Sequence, residues 1–344
     1  MSRKVSLACL FVILALLVAA CAAPPAAAPT AVPPAAPTKA PEPTAAPVQP
    51  TAAPATAKEI VIGYAFPGPA PYIDGYLKKF HEIANATPGV KVIETMGDWT
   101  PQLQAQQMES MMAQKPDVMI VWPVDNKAII PLLARMKEQG IKMVVSNAFP
   151  EKQAFDYISA YTGPNDVIQG RMAAQNLVKA LGVDTGEVAM IRGTPGTAAH
   201  AQRAEGFIDE LKKIAPNLKL VDDQDSAWGD KKKTYDVAVG ILQRHPNIIG
   251  IFSQDDTLGA AATQAAKDQG KSVKVVGVGG SCEAKELLKS GELSATTIQD
   301  PWEDGRLAIE AAIKVAKGEP VEQITYIQPA TATKENADSF DCHW

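Results

Sequence analysis

The sequence predicts an α/β protein built from two doubly wound parallel-sheet domains. Short unbroken apolar runs recur through residues 58–344, segments of helical spacing separate most of them, and that length suits two domains. The runs are Ile60–Tyr64, Val90–Ile93, Val118–Trp122, Met143–Ser146, Val188–Ile191, Ile248–Phe252 and Val273–Val278. Apart from Lys91 in the second and Lys274 in the last, no charged residue interrupts them, so they read as strands covered on both faces. Between them, Ile129, Leu132, Leu133 and Met136 lie at helical spacing, as do Phe207, Ile208, Leu211 and Ile214. No repeat of 20–50 residues interrupts this alternation.

The residues ahead of these runs have a different composition. MSRKVSLACLFVILALLVAAC places Arg3 and Lys4 before an uncharged apolar run, then small residues up to Cys21. That order is the pattern of an export signal over residues 1–20. The 16 residues from Val5 to Ala20 fall short of the roughly 20 that a membrane span needs. LLVAAC also resembles the bacterial lipobox, in which the cysteine, here Cys21, becomes the lipidated first residue.

Residues 21–57 form a tether of Ala, Pro and Thr with only Lys39 and Glu42 charged, and hold 11 of the 27 prolines after Cys21. Such a tract has no apolar periodicity to bury, and its prolines stiffen it toward polyproline II. Losing Arg3 and Lys4 with the signal takes the formal net charge from −5 to −7. A mildly acidic body gives nucleic acid no basic face. Cys9 leaves with the signal and Cys21 takes the lipid, so Cys282 and Cys342 remain as thiols of an exported protein.

Ligands of open parallel sheets bind beyond the carboxyl ends of the strands. The residues just past the apolar runs form a coherent set. Phe66 and Tyr72 follow the first, Trp122 the third and Asn147 the fourth; Arg203, Trp228, Asp255 and the Gly279 loop belong to the second half. Catalytic signatures fail. GVGGSC puts Cys282 at the last glycine position of GxGxxG, no GxxxxGK[ST] exists, and Ser281 sits in GGSCE rather than GxSxG. The four histidines show no close metal spacing. The reading is therefore a binder without cofactor, metal or catalytic residues, with an enzyme as the weakest alternative.

PDVMIVWPVDNKAI, GTAAHAQRAEGF, QRHPNIIGIFSQDDTLGAAATQA, VKVVGVGG and LSATTIQDP, in that order, resemble the periplasmic sugar-binding proteins of ribose/galactose type, the soluble receptors of ABC importers. The resemblance implies two α/β domains joined by three hinge crossovers, near Tyr161–Gly163, Thr297–Gln299 and Ile327–Pro329. It implies an N-terminal domain of residues 58–162 with 300–327, and a C-terminal domain of 163–299 with 328–344. By function it implies a receptor, expected as a monomer, which lipid on Cys21 would anchor to the outer face of the cell membrane or on the periplasmic side. The receptor delivers a sugar or polyol to an ABC permease; a receptor feeding a membrane sensor is the alternative.

The resemblance also assigns roles. Arg203 stands at the position of the family's ligand-binding arginine, four residues before Phe207 on one helical stripe. A salt bridge to Glu205 or Asp209 is the structural alternative. Trp228 matches a stacking aromatic, and Trp122 stands where ribose-type members carry a small polar residue. Asp255 matches an Asn or Asp, with neighbouring Asp256 available to cap the following helix. Gln299 matches a hinge glutamine, and His200 is a candidate for the rim.

Asn147–Ala148 and Gly279 depart from the family's Asp–Arg and Asp. The glycine therefore reads as an absent ligand carboxylate with its space left open. Finally, the family topology returns the tail to the C-terminal domain, which implies a Cys282–Cys342 disulfide.

Overall fold

The computed structural model describes residues 59–344; the signal, Cys21 and the tether lie outside the described residues. The first sheet is assembled from β1 (Ile60–Phe66), α1 (Pro71–Ala86), β2 (Val90–Met96), α2 (Pro101–Met112), β3 (Val118–Val121), α3 (Ile130–Glu138), β4 (Lys142–Ser146) and β5 (Ala160–Gly163). All four residues of β3 are buried, as expected of a strand between helical layers. The helices α1, α2 and α3 each carry a proline in their first turn, where no intrahelical N–H is needed.

The second sheet follows α4 (Asp166–Leu181): β6 (Thr185–Arg192), α5 (Ala198–Ile214), β7 (Asn217–Asp225), α6 (Lys231–Arg244), β8 (Ile248–Ser253), α7 (Asp256–Asp268), β9 (Lys274–Gly279), α8 (Cys282–Ser290) and β10 (Ala295–Ile298). Then come α9 (Pro301–Lys317), β11 (Ile324–Tyr326) and β12 (Ala330–Ala332). The helix starts are capped by side chains: Asn165 for α4, Thr197 for α5, Asp230 for α6 and Ser281 for α8.

Strand order is β11-β5-β4-β3-β1-β2 in one sheet and β12-β10-β9-β8-β6-β7 in the other. Every pairing is parallel except β12 on β10. The chain passes between the sheets three times: after β5, after β10, and between β11 and β12. Two α/β domains result. Tyr64, Phe66, Tyr76 and Phe80 pack inside the first, and Phe207 stacks on Phe252 at 4.5 Å inside the second.

β7 is absent from the apolar runs for a physical reason. It is an edge strand whose exposed positions carry Lys219, Asp223, Gln224 and Asp225, so it does not read as an apolar run.

Candidate functional site

In both sheets the strands' carboxyl ends open onto one cavity of about 650 Å³, mouth included. Its lining includes Tyr72, Trp122 and Asn147 from the first domain and Arg203, Trp228 and Asp255 from the second, with Gln299 at a crossover. Seven of the eight residues singled out in the sequence thus meet in one place. Phe66 does not. It is the last residue of β1, only 1% exposed, and its ring stacks on Tyr64 at 3.7 Å in the core. The β1 side chain that alternation turns toward the helices cannot also face the cleft.

The first wall is aromatic. Tyr72 stands edge-on to Trp122, with centroids 5.9 Å apart, and Trp122 leans on Tyr76 of the core. Asn147 has φ of 61°, a left-handed conformation that Asn tolerates better than most residues. From there its Nδ2 donates to Oδ2 of Asp304 at 2.5 Å, and the Tyr72 hydroxyl donates to the same oxygen at 3.0 Å. Burial pushes the Asp304 carboxyl up to about 7, against the pull of Asn147 and Tyr72. Its other oxygen, Oδ1, has no partner among the described residues. Sequence reasoning missed Asp304. It sits in the first turn of α9, where an acid complements the helix dipole and draws no notice.

The second wall is ionic. Gly170 of α4 and Gly206 of α5 let the two helices touch: a Cβ on Gly170 would lie 2.2 Å from the Arg203 carbonyl oxygen, and one on Gly206 2.0 Å from that of Val167. This approach brings Asp166 to Arg203, whose Nε donates to Asp166 Oδ1 at 2.8 Å. Nη1 donates to the Gln254 carbonyl and Nη2 to Gln299 Oε1, both at 2.6 Å. The partner is therefore neither Glu205 nor Asp209, because helix packing brings α4 rather than the arginine's own helix face to it. A guanidinium has five N–H groups, so two remain beyond these three bonds. Burial raises the Asp166 carboxyl, and the opposing pull of Arg203 does not cancel it.

Trp228 lies beside this cation, its ring centroid 6.0 Å from the guanidinium carbon and its Nε1 donating to Thr197 Oγ1 at 3.2 Å. It also packs on the core of the second domain. His200 is not a cavity residue; it pairs with Asp225 at 2.8 Å.

The two aspartates after β8 exchange their expected duties. Asp255, not Asp256, caps α7, its Oδ1 accepting from Leu258 N at 2.7 Å. Asp256 turns inward, where its Oδ2 accepts from the N–H groups of Gly280 and Ser281 and its Oδ1 from Thr296 Oγ1. An acid bracing that loop could not also reach the helix end. Asp255 keeps its place in the lining, and burial raises it to about 7.

Cys282 and Cys342 are joined by a disulfide. The space beside Gly279 is not open. A Cβ there would meet the Trp344 ring at 2.5 Å and Asp256 Oδ2 at 2.9 Å, and φ is +148°. The tail that the disulfide returns to this domain fills it. Among the described residues no cluster of His, Cys, Asp or Glu could hold a metal ion.

Comparisons agree with this geometry. Residues 62–320 match the model of the periplasmic binding protein domain. The D-allose-binding periplasmic protein of Escherichia coli K12 is 31% identical over 251 residues, 70% of this chain and 79% of that protein. A solved ABC transporter solute-binding protein from Bacillus halodurans with bound myo-inositol superposes with a TM-score of 0.77 at 23% identity, covering 82% of this chain and 97% of the other. The fructose-binding periplasmic domain of a hybrid two-component system has the same fold, with a TM-score of 0.75 at 23% identity over 81% and 92% of the two chains. None of these relatives is named as an enzyme.

Proposed function

The chain belongs to the periplasmic binding protein domain family, and on that premise we propose that it is an extracytoplasmic solute receptor, anchored by lipid on Cys21. It captures a sugar or polyol between its domains and hands it to an ABC permease. Convergence carries the reading: Tyr72, Trp122, Asn147, Arg203, Trp228, Asp255 and Gln299, drawn from two sheets and a crossover, line one cavity. Hydroxylated rings offer C–H faces to aromatic side chains and oxygens to polar ones, and this lining supplies both.

The domains are proposed to divide at 58–162 with 300–327 and at 163–299 with 328–344, and to close around ligand at the crossovers. No described helix is long and apolar enough to cross a membrane, so Cys21→Ser is expected to release the protein from membranes. Retention after a high-salt wash would refute the anchor.

The central test titrates D-allose, myo-inositol and D-fructose by calorimetry and thermal melting. A ligand at 100 times its Kd stabilises by about 2.7 kcal/mol, and small-angle scattering should show a smaller radius of gyration. An unchanged radius at saturation would contradict closure. A receptor serving a membrane sensor is a second reading, favoured by the fructose-binding domain of similar fold. Ligand-dependent kinase signalling without uptake would select it.

A further inference from the structure

Three consecutive residues at the end of the tail are held by three different devices. Cys342 is bonded to Cys282 at the start of α8. His343 lies flat on Trp302 of α9, centroids 3.8 Å apart and 6° from parallel, with Nδ1 2.8 Å from Asp300 Oδ1. The Trp344 carbonyl accepts from the Cys282 N–H at 2.8 Å. Fixed in this way, the Trp344 ring lines the cavity, fills the space beside Gly279, and stands edge-on to Tyr72 at 5.7 Å across the cleft. Its Nε1 is buried and has no partner among the described residues.

An indole offers a flat apolar face and one donor, and accepts nothing. Gly279 has no side chain to accept with, and the acceptor that Asn147 offers, its amide oxygen, belongs to the facing wall. A ligand hydroxyl that must donate would therefore find little to receive it on this side. A C–H face packs on the ring, and an acceptor oxygen takes the N–H.

We propose that Trp344 is a ligand-contacting, specificity-determining residue of this cavity, positioned by the Cys282–Cys342 disulfide. It selects a ring that presents a C–H face and an acceptor oxygen toward Gly279. This rests on the sugar or polyol reading of the cavity. The disulfide acts through Trp344 and touches no ligand itself.

The experiment measures affinities of D-allose, myo-inositol and D-fructose for the wild type, Trp344→Ala, Trp344→Phe and the double variant Cys282→Ser/Cys342→Ser. Any probe that binds the wild type should lose roughly tenfold or more in affinity with Trp344→Ala, as a packed aromatic contact does, and less with Trp344→Phe. The double variant should lose affinity only where Trp344 is present, so that adding Trp344→Ala to it changes little further. Unliganded melting of the Trp344 variants should stay near wild type. Full affinity in Trp344→Ala would overturn the inference.

If no probe binds the wild type, the sugar reading fails separately, and fluorine NMR of 5-fluorotryptophan protein decides the placement. Chemical reduction should then move the Trp344 resonance, assigned from its loss in Trp344→Phe, toward that of free indole. An unmoved resonance would overturn the inference without any ligand.

Discussion

On the N-terminal side of the cleft, Tyr72 and Trp122 are held by ring-on-ring contacts that continue into Tyr76 and the aromatic core. On the C-terminal side, Arg203 and Asp255 are held by hydrogen bonds, to Asp166, Gln254 and Gln299 for the first and to the start of α7 for the second. Both walls stand at the carboxyl ends of parallel strands, yet their rigidity has different origins. Aromatic packing loses area in proportion to what is removed. A buried ionic network fails more abruptly, because deleting one member strands the others. The first wall should therefore tolerate substitution with a loss confined to binding, and the second should couple binding to folding.

The largest effect expected from breaking this comparison lies in the brace behind the second wall. Removing the disulfide with Cys282→Ser/Cys342→Ser opens a loop of 60-residue separation, for which the chain-entropy model gives about 4 kcal/mol. Urea denaturation of the unliganded protein measures it. Arg203→Ala comes next. It abandons Asp166, whose side chain is 1% exposed, and loss of a partner from a buried pair costs about 3–5 kcal/mol. The same denaturation assay, run beside calorimetry, should show stability and affinity falling together. Unchanged stability would mean that Asp166 is easily neutralised and the second wall is softer than its geometry.

Trp122→Ala sharpens the contrast from the other side. Affinity should fall by about 2 kcal/mol, the range of packed aromatic contacts, while stability falls by less than in Arg203→Ala. A collapse of the fold would instead make Trp122 a core residue.

The pH-dependent effect concerns Asp304. Its folded-state carboxyl, near 7, lies above the ordinary value of 3.8, so the folded protein binds the proton more tightly than the unfolded chain. Stability from this group is full below the unfolded value, declines as pH rises between about 4 and 7, and is flat above. Asp304→Asn should flatten that decline, by about 2–4 °C in Tm per kcal/mol. Melting curves from pH 5 to pH 8 test it, with an unaltered slope as the contrary result.

The sequence alone was enough to place β1, β3 and β4 of one sheet interior and β6, β8 and β9 of the other. Val118–Val121 and Ile248–Ser253 are covered on both faces, and double covering leaves an unbroken apolar run. The edge strand β7 was not legible, because it is half exposed and its composition follows solvent as much as fold. Strand-end position likewise named Tyr72, Trp122, Asn147, Arg203, Trp228 and Asp255 of the cavity, since topology brings all such ends to one side, and the family resemblance added Gln299.

What each of those residues bonds to was decided only in three dimensions. Arg203 meets Asp166 through the contact of Gly170 with Gly206, Asp255 takes the cap because Asp256 is drawn inward, and Asn147 leans on Asp304 across 157 residues of chain. Gly279 beside Trp344 is the sharpest case. A glycine in sequence signals a missing side chain, but only packing determines whether ligand or another part of the chain takes up the space. Local sequence governs burial and backbone preference, whereas partners distant in the chain are chosen by the close packing of elements.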